Sequence, residues 1–172
     1  VLKEKADIGI AFDGDGDRVV MVDHLGNVVD GDEILFVIAS DRRRQNVDFG
    51  GVVGTSMSNL GLEQALDFLD IPFARSAVGD RYVMRELLER GWGLGGESSG
   101  HIICLDKTTT GDGIVSALQA LSAISRTERS LAELTSKLNK YPQSMVNVLV
   151  ADSADIIGSS LVQNAVADVE SK

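Results

Sequence analysis

The chain has 172 residues, of which 26 are acidic and 16 are Lys or Arg, so its formal net charge is −10. A surface this acidic is repelled by nucleic acid and by anionic membranes, and we expect neither as a partner. The hydrophobic content is 44%, there is a single cysteine, and no apolar run reaches the roughly 20 residues that cross a membrane. We therefore expect a folded, cytoplasmic protein without an internal disulfide.

The first fifty residues predict three strands followed by a helix. Apolar strand-like runs at 8–12 and 18–23 are separated by a loop of glycine and aspartate, and the turn at 24–27 leads into a short third strand. A helix is expected over about 30–43, because apolar residues recur there at helical spacing after an acidic start.

A regular alternation of strand, loop and helix follows. Strands are expected at 51–54 and near 73–75, and each leads through a polar loop, at 55–58 and at 78–81, into an amphipathic helix. Units of this length favour a parallel sheet with right-handed crossovers, in which the functional loops gather at the C-terminal ends of the strands. The two loops are therefore expected to share one rim.

The next elements are a second hairpin and a long helix. Apolar runs at 92–96 and 101–105 flank a small polar loop and are expected to pair. A long helix is expected from near Gly113, because large apolar residues recur there at helical spacing. These residues are Ile114, Val115, Leu118, Leu121 and Ile124.

The C-terminal part predicts one more short helix, a linker and the beginning of a new domain. Ser130 starts a capping-box pattern, and residues 139–143 form the expected linker. The alternation of valines over 146–150 predicts a strand, and 161–169 predicts a helix. The fold class expected for the chain is α/β, with a mixed, mainly parallel sheet flanked by helices.

Three carboxylates alternate with glycines directly after the first strand, in the sequence Asp-Gly-Asp-Gly-Asp-Arg at 13–18. In a tight glycine turn Asp13, Asp15 and Asp17 can converge on one point, where they repel one another unless a cation neutralises them. Their oxygens favour Mg²⁺, or Ca²⁺ in a looser shell, and the adjacent Arg18 is suited to a phosphate oxygen. The spacing excludes an EF-hand, and an acidic, solvated turn remains the alternative.

A second polar cluster has the sequence Gly-Gly-Glu-Ser-Ser-Gly-His at 95–101. Its small residues allow a polyol to approach the backbone closely, while Glu97 and a serine exchange hydrogen bonds with its hydroxyls. His101 could act as an acid or base, bind a phosphate, or be structural. His24, in the expected hairpin turn, is given no role.

Together these motifs resemble the α-D-phosphohexomutase superfamily over nearly the whole chain, and within it the branch that acts on glucosamine phosphates. Four motifs in the family's order carry the resemblance. They are Asp-Gly-Asp-Gly-Asp-Arg at 13–18, Val-Gly-Asp-Arg-Tyr-Val at 78–83, Gly-Glu-Ser-Ser-Gly-His at 96–101 and Thr-Thr-Gly-Asp-Gly at 109–113. One departure is Ser98, where members of the family usually carry glutamine or methionine.

The resemblance implies a mutase that interconverts glucosamine 6-phosphate and glucosamine 1-phosphate on the route to UDP-N-acetylglucosamine. The implied reaction uses an enzyme phosphoserine and a hexosamine bisphosphate intermediate. Mg²⁺ is the implied cofactor, and a hexosamine or glucose 1,6-bisphosphate is the implied activator. Carried onto matching positions, the metal ligands would be Asp13, Asp15 and Asp17, the catalytic residues Arg18 and His101, and the substrate-binding residues Glu97, Ser99 and Arg81.

The resemblance also implies that the chain is part of a four-domain enzyme. Residues 1–30 would end domain 2, 31–140 would form domain 3, and 141–172 would supply the linker and the start of domain 4. No stretch resembles the family's serine loop or its phosphate-clamping loop, and the chain begins without methionine. We therefore expect a fragment that is inactive alone and whose partners are a phosphosugar and the missing domains of its own longer chain.

Three other functions remain open from the sequence. A mutase of the phosphomannomutase or phosphoglucomutase type would use the same motifs. A metal-dependent phosphatase would use Asp13 as the nucleophile and Asp15 as the acid, and a sugar-phosphate binding module would bind without turnover. The phosphatase leaves the Glu97 loop unexplained.

Overall fold

The computed structural model describes residues 1–144, 146, 149 and 158–171, and the chain divides into two units, Val1–Pro142 and Gln143–Lys172. The first unit contains both sheets and five helices among its elements. The second unit contains one helix in its described part.

A three-stranded antiparallel sheet begins the first unit. β1 (Ile8–Phe12) pairs with β2 (Val19–Asp23), and β2 pairs with the short β3 (Val28–Val29). The turn between β2 and β3 is closed by the carboxylate of Asp23, which accepts hydrogen bonds from the backbone N–H groups of Leu25 and Asn27. The predicted strands and hairpin are confirmed.

The second sheet has four strands in the order β5, β4, β6, β7. β4 (Val52–Thr55) lies between β5 (Phe73–Ser76) and β6 (Leu94–Gly96) and is parallel to both, whereas β7 (Ile102–Cys104) is antiparallel to β6. Because two of the three pairings are parallel, the expectation of a mixed, mainly parallel sheet is confirmed.

Helices cover both faces of this sheet. They are α1 (Gly31–Arg44), α2 (Leu60–Asp67), α3 (Asp80–Arg90), α4 (Gly113–Thr127) and α5 (Leu131–Thr135). Val53 packs with Val83 and Leu87 of α3, whereas its neighbour Val52 belongs to the larger core that includes α1. Successive strand residues point to opposite faces of the sheet, so Val52 and Val53 belong to the cores on its two sides.

α1 is buried on nearly every side, since residues 34–39 are all buried. It contacts β2, β6, α2, α4 and α5, and so fills the space between the two sheets. A helix that is apolar around its circumference is typical of an interior position. Its N-terminus has the predicted start: Asp30 and Glu33 form a capping box.

The most deeply buried residues of α4 are small. Ser116, Ala117, Ala120 and Ala123 are buried, whereas the large apolar side chains at helical spacing are partly or largely exposed; Ile114 is 58% exposed. Small side chains allow α4 to pack closely on β2, β7 and α1, and a stripe of large residues would hold it away. The predicted helix is confirmed, and of its large residues Leu121 and Ile124 are partly buried and pack against the core.

The segment that ends the first unit is bound to the starts of two helices. The Lys140 ammonium contacts Asp30 at 2.5 Å and Glu33 at 2.8 Å, and the Asn59 side chain pairs with both the N–H and the C=O of Tyr141. Burial lowers the pKa of Lys140, but its hydrogen bonds to Asp30 and Glu33 outweigh burial, and the net pKa is raised. The chain therefore leaves the unit from a fixed position.

The second unit contains α6 (Ser160–Glu170), which confirms the helix predicted over 161–169. The strand predicted over 146–150 lies largely outside the described residues, since Val148 and Val150 are not among them. Within the described part of the chain, no helix combines the length and the apolar character needed to cross a membrane.

Candidate functional site

The three aspartates that follow β1 converge as predicted. One carboxylate oxygen from each of Asp13, Asp15 and Asp17 lies within 4.8 Å of the others. Gly16, with a φ of +75°, provides a left-handed turn that few other residues adopt. The described residues thus contain a cluster of three oxygen ligands on one short loop.

Arg18 balances part of this negative charge. Its Nε lies 2.9 Å from Asp13 Oδ2 and 3.5 Å from Asp17 Oδ1, and its backbone N–H donates to Asp13 Oδ1. Burial raises the pKa of Asp13, but the backbone hydrogen bond from Arg18, the side chains of Asp17 and Asp15 and the charge of Arg18 together lower it. Half of the Arg18 side chain is exposed, so its guanidinium is accessible to an anion.

The carboxylate cluster suits a divalent cation. Its ligands are hard oxygens, the set that Mg²⁺ prefers in proteins. Asp17 Oδ1 is buried and accepts no hydrogen bond from the described residues, and its contact with Arg18 Nε is an ion pair at 3.5 Å. The residues present therefore fit the ion that the sequence predicts.

Two glycine-rich segments enclose the 13–18 loop. Val19 N–H donates to Gly100 C=O, and Gly113 N–H donates to Gly16 C=O. A Cβ on Gly100 would lie 2.1 Å from the Val19 carbonyl oxygen, and one on Gly113 would lie 2.7 Å from that of Arg18. Because both approaches leave no room for a side chain, the loop is held tightly from two sides.

The loop between β6 and β7 carries Glu97, Ser98 and Ser99. Glu97 Oε1 accepts a hydrogen bond of 2.9 Å from the backbone N–H of Gly79, which connects this loop with the start of α3. Gly31, the first residue of α1, donates from its N–H to the carbonyl oxygen of Ser98. The loop is therefore supported by two helix N-termini.

A cavity of about 540 Å³ brings the two predicted motifs together. Its walls include Asp17 and Arg18 from the 13–18 loop, hereafter the carboxylate loop, and residues 97–99 and His101 from the loop after β6. Thr55, Met57, Val78, Gly79 and Asp80 complete it. The loops after β4 and β5 thus share one rim, as the parallel-strand rule predicts. A more apolar cavity of about 400 Å³, beside α2, contains none of the predicted site residues.

Arg81 is the one predicted substrate-binding residue that does not line the larger cavity. It lies in the first turn of α3, where its guanidinium stacks on the ring of Tyr82 at 4.5 Å and donates to Tyr82 Oη. His24 is exposed in the β2–β3 turn, away from the cavity lining.

A buried carboxylate that the sequence analysis did not single out supports the rim. Asp32, in the first turn of α1, is 1% exposed and accepts a 2.7 Å hydrogen bond from the N–H of Asn59, next to the 55–58 loop. Burial raises the pKa of Asp32 and is only partly offset by this hydrogen bond. Its partner lies 27 positions away, so no local pattern identifies its role.

The chain is similar to a family model of a single domain and to individual known proteins. The family model for phosphoglucomutase/phosphomannomutase, alpha/beta/alpha domain III, matches residues 30–141. Phosphoglucosamine mutase of Aeromonas hydrophila is 60% identical over 170 residues, which is 99% of this chain and 38% of that protein. The chain therefore spans well under half of this relative.

Solved structures share the fold. A phosphoglucomutase/phosphomannomutase family protein from Burkholderia thailandensis has a TM-score of 0.69 at 25% identity, over 81% of this chain and 31% of that one. Aspergillus fumigatus N-acetylphosphoglucosamine mutase, solved in complex with GlcNAc-6P and magnesium, has a TM-score of 0.72 at 18% identity, over 84% of this chain and 38% of that one.

Proposed function

The chain belongs to the phosphoglucomutase/phosphomannomutase family, and from that premise we propose that it is part of a mutase that interconverts glucosamine 6-phosphate and glucosamine 1-phosphate. One observation carries the proposal: the carboxylate loop and the Glu97 loop meet in a single cavity. A phosphosugar needs both, because its phosphate carries the charge and its ring carries the hydroxyls. The 60% identity to a phosphoglucosamine mutase supports the amino sugar as substrate.

Asp13, Asp15 and Asp17 are proposed to hold Mg²⁺, an ion present in the Aspergillus fumigatus structure. When bound, the ion supplies positive charge at a phosphoryl group in transfer. Arg18 is proposed to bind the same phosphoryl group, since half of its side chain is exposed and its Nε already lies between two of the carboxylates.

Glu97 and Ser99 are proposed to bind sugar hydroxyls. Glu97 keeps one carboxylate oxygen on Gly79, which leaves the other for a ligand. His101 is proposed to act at the same site, and Arg81 at its edge through the start of α3. The apolar Met57 and Val78, which also line the cavity, suit the carbon face of a sugar ring.

The phosphoserine donor is proposed to lie in the part of a longer protein that this chain does not cover. Formation of the bisphosphate intermediate, and the role of the bisphosphate as an activator, are proposed to depend on that same part. The same proposal assigns 1–30 to the end of one domain, 31–140 to a central domain and 141–172 to a linker and the start of the next. The protein is proposed to work in the cytoplasm, where its free Cys104 would stay reduced.

A chimera tests the proposal directly. The Aeromonas hydrophila enzyme would receive this chain in place of its matching segment, and formation of glucosamine 1-phosphate would be measured in a coupled assay with Mg²⁺ and a hexose bisphosphate. We expect turnover on the order of 1 s⁻¹ or faster, lost in the same chimera with Asp15→Ala. A folded chimera without turnover would contradict the proposal.

The isolated chain separates the alternatives. We expect the isolated chain to bind hexosamine phosphates without interconverting them. Release of phosphate from a generic phosphoester with Mg²⁺, abolished by Asp13→Asn, would instead identify a phosphatase with an aspartate nucleophile. An inactive chimera together with sugar-phosphate binding by the isolated chain would favour a binding module.

A further inference from the structure

Arg75 of β5 connects that strand with the loop after β4. Its Nη1 donates hydrogen bonds to the carbonyl oxygens of Thr55, at 3.0 Å, and Ser58, at 2.8 Å. These are the first and last residues of the 55–58 loop, and Thr55 and Met57 of this loop line the cavity. Arg75 itself does not line the cavity. Its contacts therefore fix both ends of a loop that a ligand meets.

The guanidinium of Arg75 is held in place by a third element, α2. Its Nε and Nη2 donate to one carboxylate oxygen of Glu63, at 3.1 and 2.8 Å. Its Cζ lies 5.3 Å from the centre of the Phe73 ring. A guanidinium carries five N–H donors in a rigid fork, so one side chain can bind the carboxylate and both carbonyl groups at once. A lysine ammonium lacks this geometry.

The backbone N–H groups of the 55–58 loop are all used within the protein. Thr55 N–H donates to the Ser58 hydroxyl, Met57 N–H to Thr55 Oγ1, and Ser58 N–H to the Thr55 carbonyl oxygen. Ser56 N–H donates to the carbonyl oxygen of Ser76. A loop between a parallel strand and a helix commonly binds phosphate through such groups. Within residues 55–58, all of which the structure describes, none is left for an anion, so the loop meets a ligand with side chains.

Met57 is the loop residue that is open to the cavity. It is 38% exposed, whereas Thr55, the other loop residue in the lining, is 1% exposed. The turn that presents Met57 packs closely on the sheet, since a Cβ on Gly54 would lie 2.6 Å from Ser58 Oγ and 2.7 Å from Phe73 Cζ. The position of the Met57 side chain thus depends on how the ends of the loop are held.

From this arrangement we infer that Arg75 is a positioning residue for substrate binding: it fixes both ends of the 55–58 loop and so places Met57 against the sugar ring. The inference rests on the proposed function, since it takes a phosphosugar as the ligand. The carboxylate loop is held by other contacts, among them that of His101 Nδ1 with Asp17 Oδ2 at 3.1 Å. Loss of Arg75 should therefore weaken sugar binding and leave metal binding unchanged.

The chimeric mutase supplies the kinetic test. Arg75→Leu should raise KM for glucosamine 6-phosphate by about tenfold, as expected when two hydrogen bonds are lost, with kcat changed by less than about twofold. Met57→Ala should raise KM by a similar factor. The double variant should have nearly the KM of Met57→Ala alone, because Arg75 acts through Met57. Arg75→Lys should raise KM less than Arg75→Leu, because its ammonium still reaches a carbonyl oxygen.

A matched control is Arg43→Leu. Arg43 also donates to a backbone carbonyl oxygen, that of Leu69 at 3.1 Å, but it does not line the cavity or contact the 55–58 loop. It should leave KM unchanged. Mn²⁺ affinity of the isolated chain should be the same in Arg75→Leu as in the parent.

The methyl signals of the four methionines provide a second measurement on the isolated chain. With ¹³C-labelled methionine, glucosamine 6-phosphate and Mg²⁺ should shift the signal of Met57 and not that of Met21, which is buried in β2. In Arg75→Leu the Met57 signal should move before any ligand is added and should respond less to the sugar phosphate. An unchanged Met57 signal in this variant would contradict the inference.

The kinetic outcomes separate the inference from the proposed function. With an active parent chimera, an unchanged KM in folded Arg75→Leu, or fully additive effects in the double variant, would overturn the inference and leave the proposed function standing. A parent chimera without turnover would contradict the proposed function, and the inference would fail with it. If thermal unfolding shows that Arg75→Leu is not folded, Arg75→Lys takes its place in the double variant, and additive effects there would overturn the inference.

Discussion

The backbone N–H of Gly79 donates a hydrogen bond of 2.9 Å to the carboxylate of Glu97. This contact connects the loops that follow two strands, β5 and β6, which are not neighbours in the sheet. Gly79 has a φ of +123°, a conformation that L side chains rarely adopt, so the donor depends on a glycine. The two loops are therefore held as one surface of the cavity.

Glu97 should govern binding of the sugar. In the chimeric mutase, Glu97→Ala should lower kcat/KM by a factor on the order of 10² to 10³, because charge-assisted hydrogen bonds to the substrate and the support from Gly79 are both lost. Mn²⁺ affinity should not change, since Glu97 is not in the carboxylate cluster. Ser99→Ala should also lower kcat/KM, whereas Ser56→Ala, on a neighbouring loop but outside the cavity lining, should not. Normal kinetics for both Glu97→Ala and Ser99→Ala would remove the loop from the site.

Gly31→Ala should destabilise the protein although alanine is the better helix former. In an open helix the change would stabilise by up to about 1 kcal/mol, but here the new Cβ would lie 2.0 Å from the Glu97 carbonyl oxygen. We expect a net loss of about 1–3 kcal/mol in the free energy of unfolding, measured with urea. Gly93→Ala, whose Cβ would make only an ordinary 3.8 Å contact with Phe49, is the matched control. An unchanged or raised stability for Gly31→Ala would contradict the close packing of α1 on the loop.

Asp23 should stabilise the β2–β3 turn in a pH-dependent way. Burial raises the pKa of Asp23, but hydrogen bonds from Asn27 and Leu25 outweigh it and the net pKa is lowered. A lowered pKa means that the stabilisation is present above the unfolded value, about 3.9, and is lost as the pH falls through the folded value. Asp23→Asn should therefore cost about 1–2 kcal/mol at neutral pH and progressively less below about pH 4. The exposed Asp7→Asn is the control, and a pH-independent difference between Asp23→Asn and the parent would refute this explanation.

Cys104 should be nearly unreactive in the folded chain. It is 1% exposed, and burial raises the pKa of its thiol to about 11. At pH 8 only about one thiol in 10³ would be ionised, and the thiolate is the reactive form. Labelling with a disulfide reagent should be slower by a factor on the order of 10² or more than in the chain unfolded in guanidinium. Rapid, complete labelling under native conditions would show that β7 opens readily.

Those parts of the fold that depend on local patterns could be predicted from the sequence. The parallel-strand rule predicts that the 55–58 and 78–81 loops meet at one edge of the sheet, and they do. The alternation of glycine with Asp13, Asp15 and Asp17 predicts a convergent turn, and the carboxylates do converge. The convergent turn needs only the residues at 13–18, whereas the shared rim follows from the strand–loop–helix alternation that begins at Gly51.

Individual side-chain and backbone contacts between distant segments could not be predicted. How deeply each residue of α4 is buried does not follow from the sequence, because the large and the small residues both recur at helical spacing and only the partners of the helix decide between them. The fit of Gly111 against His101 and the contact of Gly79 with Glu97 depend on backbone positions in separate loops. For Arg81, no pattern in the sequence indicates that Tyr82 holds its guanidinium.

The contact between Asp17 and His101 joins positions 84 residues apart in the chain. Closing so long a loop costs conformational entropy before any contact repays it, and such non-local contacts slow folding. The hairpins of the first sheet need only neighbouring residues, so they can form early, while the carboxylate loop gains its walls only after β7 and the start of α4 have docked. Cation binding should therefore develop in the last kinetic phase of refolding, together with the native tertiary structure, and not with the first secondary structure.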